Sequence, residues 1–168
     1  MVMAMRHSRT RSSGFTVVEL MVALLVLIIL LAMAAPAFEK IVANQRVRNA
    51  SFDVFSALNY ARSEAVKRGG AVTVRAGATS NGAWSSGWRI TEDAGNTMLR
   101  SWGARSGLAV TEKASTPLVA VTYGRDGRLS TAAPRIEIAP AATVDGVTTR
   151  CVSVDLSGRP TTKTGGCS

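Results

Sequence analysis

Hydrophobic and polar positions divide this chain in two. From Leu20 to Ala35 sixteen residues pass without a charge, and Phe15 to Val18 lengthen that run on its N-terminal side, with Glu19 as the single interruption. Beyond residue 36 the pattern becomes periodic. Val47, Ala50, Val54, Leu58, Ala61 and Ala65 recur at spacings of three and four, which is one apolar stripe of an amphipathic helix. The stripe stops at Arg68-Gly69-Gly70, a strong helix terminator. One helix from about Phe15 to Arg68 accounts for both patterns. It would be roughly 80 Å long, far longer than a bilayer is thick. Pro36 removes one backbone donor and should bend or loosen it.

Downstream the period changes from helical to strand-like. Ala71–Arg75, Gly87–Thr91, Met98–Trp102, Leu118–Tyr123, Arg135–Ile138 and Cys151–Asp155 are β-type runs. Asp93-Ala94-Gly95-Asn96 and Gly124-Arg125-Asp126-Gly127 supply turns between them. Six or so short strands with Gly-rich turns predict an antiparallel sheet or small sandwich. With the helix stripe over one face, the fold class is α+β. The domain plan is a basic leader at 1–14, a membrane helix at 15–36, its amphipathic continuation at 37–69 and a β-rich domain at 70–168.

Charge then orients the chain. The formal net charge is +9, and Arg6, Arg9 and Arg11 precede Gly14 with no acid among them. Positive charge before a single span keeps that end in the cytoplasm and places everything after residue 36 outside. An ordinary secretory signal would be cut after the apolar run, and Ala32-Met33-Ala34-Ala35 imitates such a site. Glu19 near the start of the run and the continuation of the helix past Pro36 argue against that reading. A carboxylate within an apolar span costs about 2.5–3.5 kcal/mol at a helix centre and less near the interface. Glu19 therefore needs a cation, or must snorkel to the interface.

Gly14-Phe15-Thr16-Val17-Val18-Glu19-Leu20, followed by Met21-Val22-Ala23, closely resembles the prepilin motif of type IV pilins and type II secretion pseudopilins. The resemblance implies that a membrane prepilin peptidase cuts between Gly14 and Phe15 and N-methylates Phe15. It makes Glu19 the fifth residue of the mature chain, and Pro36 falls where many members carry a helix-loosening proline. Cleavage exposes an α-amino cation at Phe15, which Glu19 of an adjacent subunit can neutralise. Such a pair adds little net stability but is costly to break, so it sets register. The implied partners are other pilin or pseudopilin subunits, the peptidase, the inner-membrane assembly platform and inner-membrane lipid.

Later segments narrow the resemblance. Ala61–Arg68 with Val72-Thr73-Val74, then Ser86-Gly87-Trp88-Arg89-Ile90, then Val121–Arg128 look like the H-type pseudopilin/FimT family. Two roles compete within it: a type II secretion pseudopilus, and type IV pili with DNA uptake. Some FimT-like proteins bind DNA through a C-terminal Gly-Arg-x-Arg segment. Here Ser157-Gly158-Arg159-Pro160-Thr161-Thr162-Lys163 matches at Arg159 but has Thr161 at the second arginine position. A flexible basic loop pinned between Cys151 and Cys167 would let Arg159, Lys163 and Arg150 reach phosphates, without sequence preference and with strong salt dependence.

The remaining chemistry is sparse. Two cysteines in an exported domain favour one disulfide, Cys151–Cys167, worth roughly 3 kcal/mol, over two free thiols. His7 is the only histidine and lies in the leader, so no Cys/His spacing suggests a metal. Asp126, Asp145 and Asp155 follow no catalytic spacing, and no GxSxG elbow occurs. The expectation is a subunit without cofactor or catalysis. A membrane-anchored periplasmic protein that never polymerises stays open as a third class.

Overall fold

The computed structural model describes residues 14–79, 82–92, 97–114 and 118–167. The predicted turn at Asp93–Asn96 and the cations Arg6, Arg9 and Arg11 lie outside the described residues. One helix, α1, runs from Val17 to Arg68, within two residues of the expected start, and its helical backbone continues through position 36. The chain forms two compact units, one ending at Phe38 and the other beginning at Glu39.

The first unit is the opening stretch of α1. Every described side chain from Phe15 to Ala35 is exposed, and nearly all are apolar. A helix that is hydrophobic all round belongs in lipid or in a protein core. This one is long and apolar enough to cross a membrane.

The second unit holds the rest of α1 and, among the described residues, eight strands. They are β1 (Val72–Ala76), β2 (Gly87–Glu92), β3 (Thr97–Gly103), β4 (Leu108–Glu112), β5 (Ala120–Tyr123), β6 (Arg135–Pro140), β7 (Arg150–Val154) and β8 (Pro160–Thr164). They make two four-stranded antiparallel sheets, ordered β3-β2-β1-β5 and β4-β6-β7-β8. The expected six strands become eight. β4 and β8 are the two additional strands, each at an edge of the second sheet. Pro160-Thr161-Thr162-Lys163-Thr164 has no apolar alternation, and its side chains are nearly all exposed.

The helical stripe does what its spacing predicts. Val47, Ala50, Val54, Leu58, Ala61 and Ala65 are all buried. They join Val72, Val74, Ile90 and Tyr123 of the first sheet and Ile136, Ile138 and Val152 of the second in one core. Burying a Val, Leu or Ile side chain is worth about 1.5–3 kcal/mol, so this layer holds the helix to the sheets.

Polar contacts fix the helix ends of that layer. At the C-terminus, Gly69 N donates to Val66 O and Gly70 N to Ala65 O, both at 3.3 Å, with Gly69 at φ 63°. That is the bond pattern of a Schellman stop. Arg68 bridges Glu64 at 2.7 Å and Glu92 of β2 at 2.9 Å. The Arg68 guanidinium beside Glu64 holds that carboxyl below its ordinary range, and Lys67 adds to the effect. At the other end Asn44 donates to Gly146 O at 3.2 Å and accepts from Thr148 N at 3.0 Å.

Candidate functional site

The first candidate site is the head of α1. Gly14, Phe15 and Thr16 precede the helix and are exposed, so the Gly14–Phe15 peptide bond is accessible. Thr16 caps the helix. Its Oγ1 accepts from Glu19 N at 3.2 Å, while Glu19 Oε2 accepts from Thr16 N at 3.3 Å and from Thr16 Oγ1 at 3.2 Å. This reciprocal pair is a capping box, which satisfies two of the donors left open at a helix N-terminus. Glu19 thus needs no snorkelling to find donors. It is held at the positive end of the helix dipole, within one turn of Phe15, with Oε2 engaged by Thr16. Sequence reading had singled out Glu19 but passed over Thr16. The signal was present as Thr-x-x-Glu before an apolar run.

The second candidate is the C-terminal hairpin. Cys151 and Cys167 are joined in a disulfide across a separation of 16 residues, and there is no free cysteine. The expected flexible loop between them is instead ordered. Most of it is the β7–β8 hairpin, closed by the register from Arg150↔Thr164 to Val154↔Pro160. Asp155 ties its turn, accepting from Ser157 Oγ at 2.6 Å and from Arg159 N at 2.9 Å. These two bonds hold the Asp155 carboxyl below its ordinary range.

That order separates the three cations that the loop was expected to present together. Lys163 lies opposite Cys151, while Arg150 lies opposite Thr164. Side chains alternate faces along a strand, so Arg150 shares the side of the buried Val152 and Val154 and Lys163 takes the other. Arg159 stands apart from both, in the turn. The physical reason is β pairing, which a basic, Thr-rich segment does not announce.

The fold gives Arg159 different neighbours. Gly158, at φ 82°, sits so close to the β5–β6 turn that a Cβ there would overlap the Gly127 carbonyl and meet Arg128 Cα at 3.3 Å. Arg62 of α1 donates from Nε to Gly127 O at 3.0 Å. Arg62, Arg125, Arg128 and Arg159 are thus carried by three elements that meet at the Gly127 carbonyl. Arg125, Arg128 and Arg159 are exposed. The nearby carboxylates serve the turns, since Asp126 accepts from Arg128 N at 3.1 Å. Beneath them Tyr123 is fully buried, and burial pushes its hydroxyl above the ordinary value against the opposing pull of Arg62.

Comparisons with known proteins agree with this geometry. No individual curated protein sequence matches the chain. Among solved structures, the type IV minor pilin FimU of Pseudomonas aeruginosa is similar with a TM-score of 0.58 at 24% identity, covering 71% of this chain and 89% of that one. A second crystal form of FimU gives a TM-score of 0.56 at 25% identity, covering 69% and 91%. The minor pseudopilin EpsH from the type 2 secretion system of Vibrio cholerae gives 0.55 at 12% identity, covering 71% and 97%. The prokaryotic N-terminal methylation motif matches residues 9–35, and the family described as type II transport protein GspH matches residues 50–158. The chain belongs to the GspH family of minor pilins and pseudopilins, which are structural subunits with a long N-terminal helix on antiparallel sheets.

Proposed function

We propose that this chain is a minor subunit of a type II secretion pseudopilus, cut between Gly14 and Phe15 by a prepilin peptidase and N-methylated on Phe15. Residues 1–14 are the leader and residues 15–36 span the inner membrane, with the N-terminus cytoplasmic and residues 70–168 in the periplasm. Its part is structural, not catalytic. The observation that carries the reading is the Thr16–Glu19 capping box at the head of a helix with an apolar surface on every side. It holds a carboxylate ready beside the place where cleavage creates an amine. In the filament, Glu19 of one subunit meets the Phe15 α-amine of its neighbour, and the shared charge sets the axial register. Pro36 gives the helix local slack during packing. The description of the matched family as a type II transport protein supports secretion over the other systems.

The test is the mature mass together with incorporation. Mature chain should begin at methylated Phe15, and Glu19→Gln should be processed normally yet lost from the filament, with secretion impaired. A chain that starts elsewhere, or a Glu19→Gln chain that assembles as well as the parent, sinks the proposal, and a parent chain never found in filaments leaves a non-polymerising anchored protein.

A second reading is favoured by the arginine convergence around Gly127 and Gly158. Here the chain is a FimT-like minor pilin that touches DNA during uptake. The cations that support it are Arg125, Arg128 and Arg159, with Lys163 and Arg150 on other surfaces. A deletion strain separates the two readings, one losing secretion and the other transformation.

A further inference from the structure

A different surface runs along the seam between the middle of α1 and β3. Arg46, Asn49, Asp53 and Tyr60 follow one another on one side of the helix, at the three-, four- and seven-residue spacings that keep side chains in line. They cover about 21 Å of it. Against them lie β3 and the loop to β4. Arg105 Nη2 pairs with Asp53 Oδ2 at 2.7 Å. Arg46, Asn49, Asp53, Arg105, Ser106 and Leu108 line a groove of about 300 Å³. Arg46 is exposed and has no ion pair among the described residues. Further along, the Arg100 guanidinium carbon lies 4.9 Å from the Trp102 ring centroid and 5.9 Å from that of Tyr60. Two aromatic faces hold that cation in place.

The seam also borders an open sheet edge. Among the described residues β3 pairs with β2 alone. The outer edge of β5 is closed by Ser130 N donating to Thr122 O at 2.9 Å and by the Tyr123↔Leu129 bridge. The Trp84–Ser86 turn lies against β4. β8 begins with Pro160 and carries Lys163, devices that discourage pairing. Among the described strands, β3 is left with a row of backbone donors and acceptors beside three guanidinium groups.

We propose that this seam docks an extended, acidic segment of a partner chain. The segment adds to β3 as a strand, and its carboxylates meet Arg100, Arg105 and Arg46 in turn. Main-chain bonds supply the affinity and alternate side chains the selectivity, as in strand addition generally. Charge also says which partner is excluded. Residues 15–168 carry 17 Lys+Arg (20 less Arg6, Arg9 and Arg11) against 11 Asp+Glu, a net +6. A second copy would bring like charge to like, so the occupant is a different chain.

The probe is a synthetic eight-residue peptide of alternating Glu and Val, titrated into the ¹⁵N-labelled full chain in detergent micelles at low ionic strength. The expected result is a shift of the Trp102 indole N–H and of the β3 amides, without movement of the Trp84 indole. Arg46→Ala should weaken binding roughly tenfold while leaving the thermal midpoint unchanged, because that side chain has no ion pair to lose among the described residues. A Lys–Val peptide should not bind. Three results would overturn the proposal: no Trp102 shift at saturating peptide, equal binding by the Lys–Val peptide, or stronger occupancy of the same seam by a short oligonucleotide. Self-association of the chain that perturbs Trp102 would overturn the exclusion of a second copy.

Discussion

Arg62, half-buried on α1, donates its Nε to the carbonyl oxygen of Gly127 at 3.0 Å. The bond joins the helix to the β5–β6 turn across 65 residues of sequence. The β7–β8 turn then closes on the far side of Gly127 through Gly158. Helix, central turn and C-terminal hairpin meet at one backbone carbonyl, and each of them carries arginine to that junction.

Gly158→Ala should be among the most damaging single changes in the second unit. The added Cβ meets the Gly127 carbonyl, and the residue must also hold φ 82°. Strain of this kind costs of order 1–3 kcal/mol and the overlap adds to it. Urea unfolding should show a loss of about 2 kcal/mol or more. An unchanged midpoint would mean that the two turns do not pack as described.

If the arginines around Gly127 bind DNA, Arg128→Ala and Arg159→Ala should each weaken duplex binding and lower the salt slope by about one. Arg150→Ala should leave both as they were, because Arg150 shares the face of Val152 and Val154. Fluorescence anisotropy against salt concentration checks this. Equal effects at Arg150 and Arg128 would return the site to the hairpin strands.

Replacing both Cys151 and Cys167 by Ser should cost roughly 3 kcal/mol through the loop that the bond closes. The loss should fall mainly on β8, whose side chains are nearly all exposed and which has little apolar burial of its own. Hydrogen exchange should show the β8 amides opening before those of β6. Uniform loss of protection would place the effect elsewhere.

Acid should weaken the junction between α1 and β2. Bonding to Arg68 lowers the pKa of Glu64 in the folded chain, so the folded state binds its proton less readily than the unfolded one. The stabilisation is complete above the ordinary glutamate pKa and is lost as pH falls through the lowered one. Asp155 contributes with the same sign. Denaturation midpoints should therefore fall on the acid side of the ordinary carboxylate range, and Glu64→Gln should flatten that slope. A slope that survives the substitution would assign it to other carboxylates.

The reach of sequence reading follows from where the information lay. Val47 to Ala65 were legible as a core stripe because helix periodicity is local and every second turn repeats it. Val72, Ile90, Ile136 and Val152 were legible because buried strands need branched or bulky apolar residues. Pro160–Thr164 was not, since an edge strand is held by a neighbour's backbone and its own side chains stay wet. The Thr16–Glu19 cap was written in four consecutive residues and simply passed over.

By itself the sequence determined the apolar helix, the acid at its head, the amphipathic continuation, the α+β class and the family. The first four rest on neighbours within a turn or two, where spacing alone decides which side chains can meet, while the family rests on the resemblance of its motifs. Only the tertiary structure decided that Arg150 and Lys163 face opposite ways and that Arg159 joins Arg125, Arg128 and Arg62. It alone brought Arg46, Arg100 and Arg105 to one seam. Those outcomes depend on strand register and on two turns in contact, and a charge on a flexible basic side chain carries no trace of either.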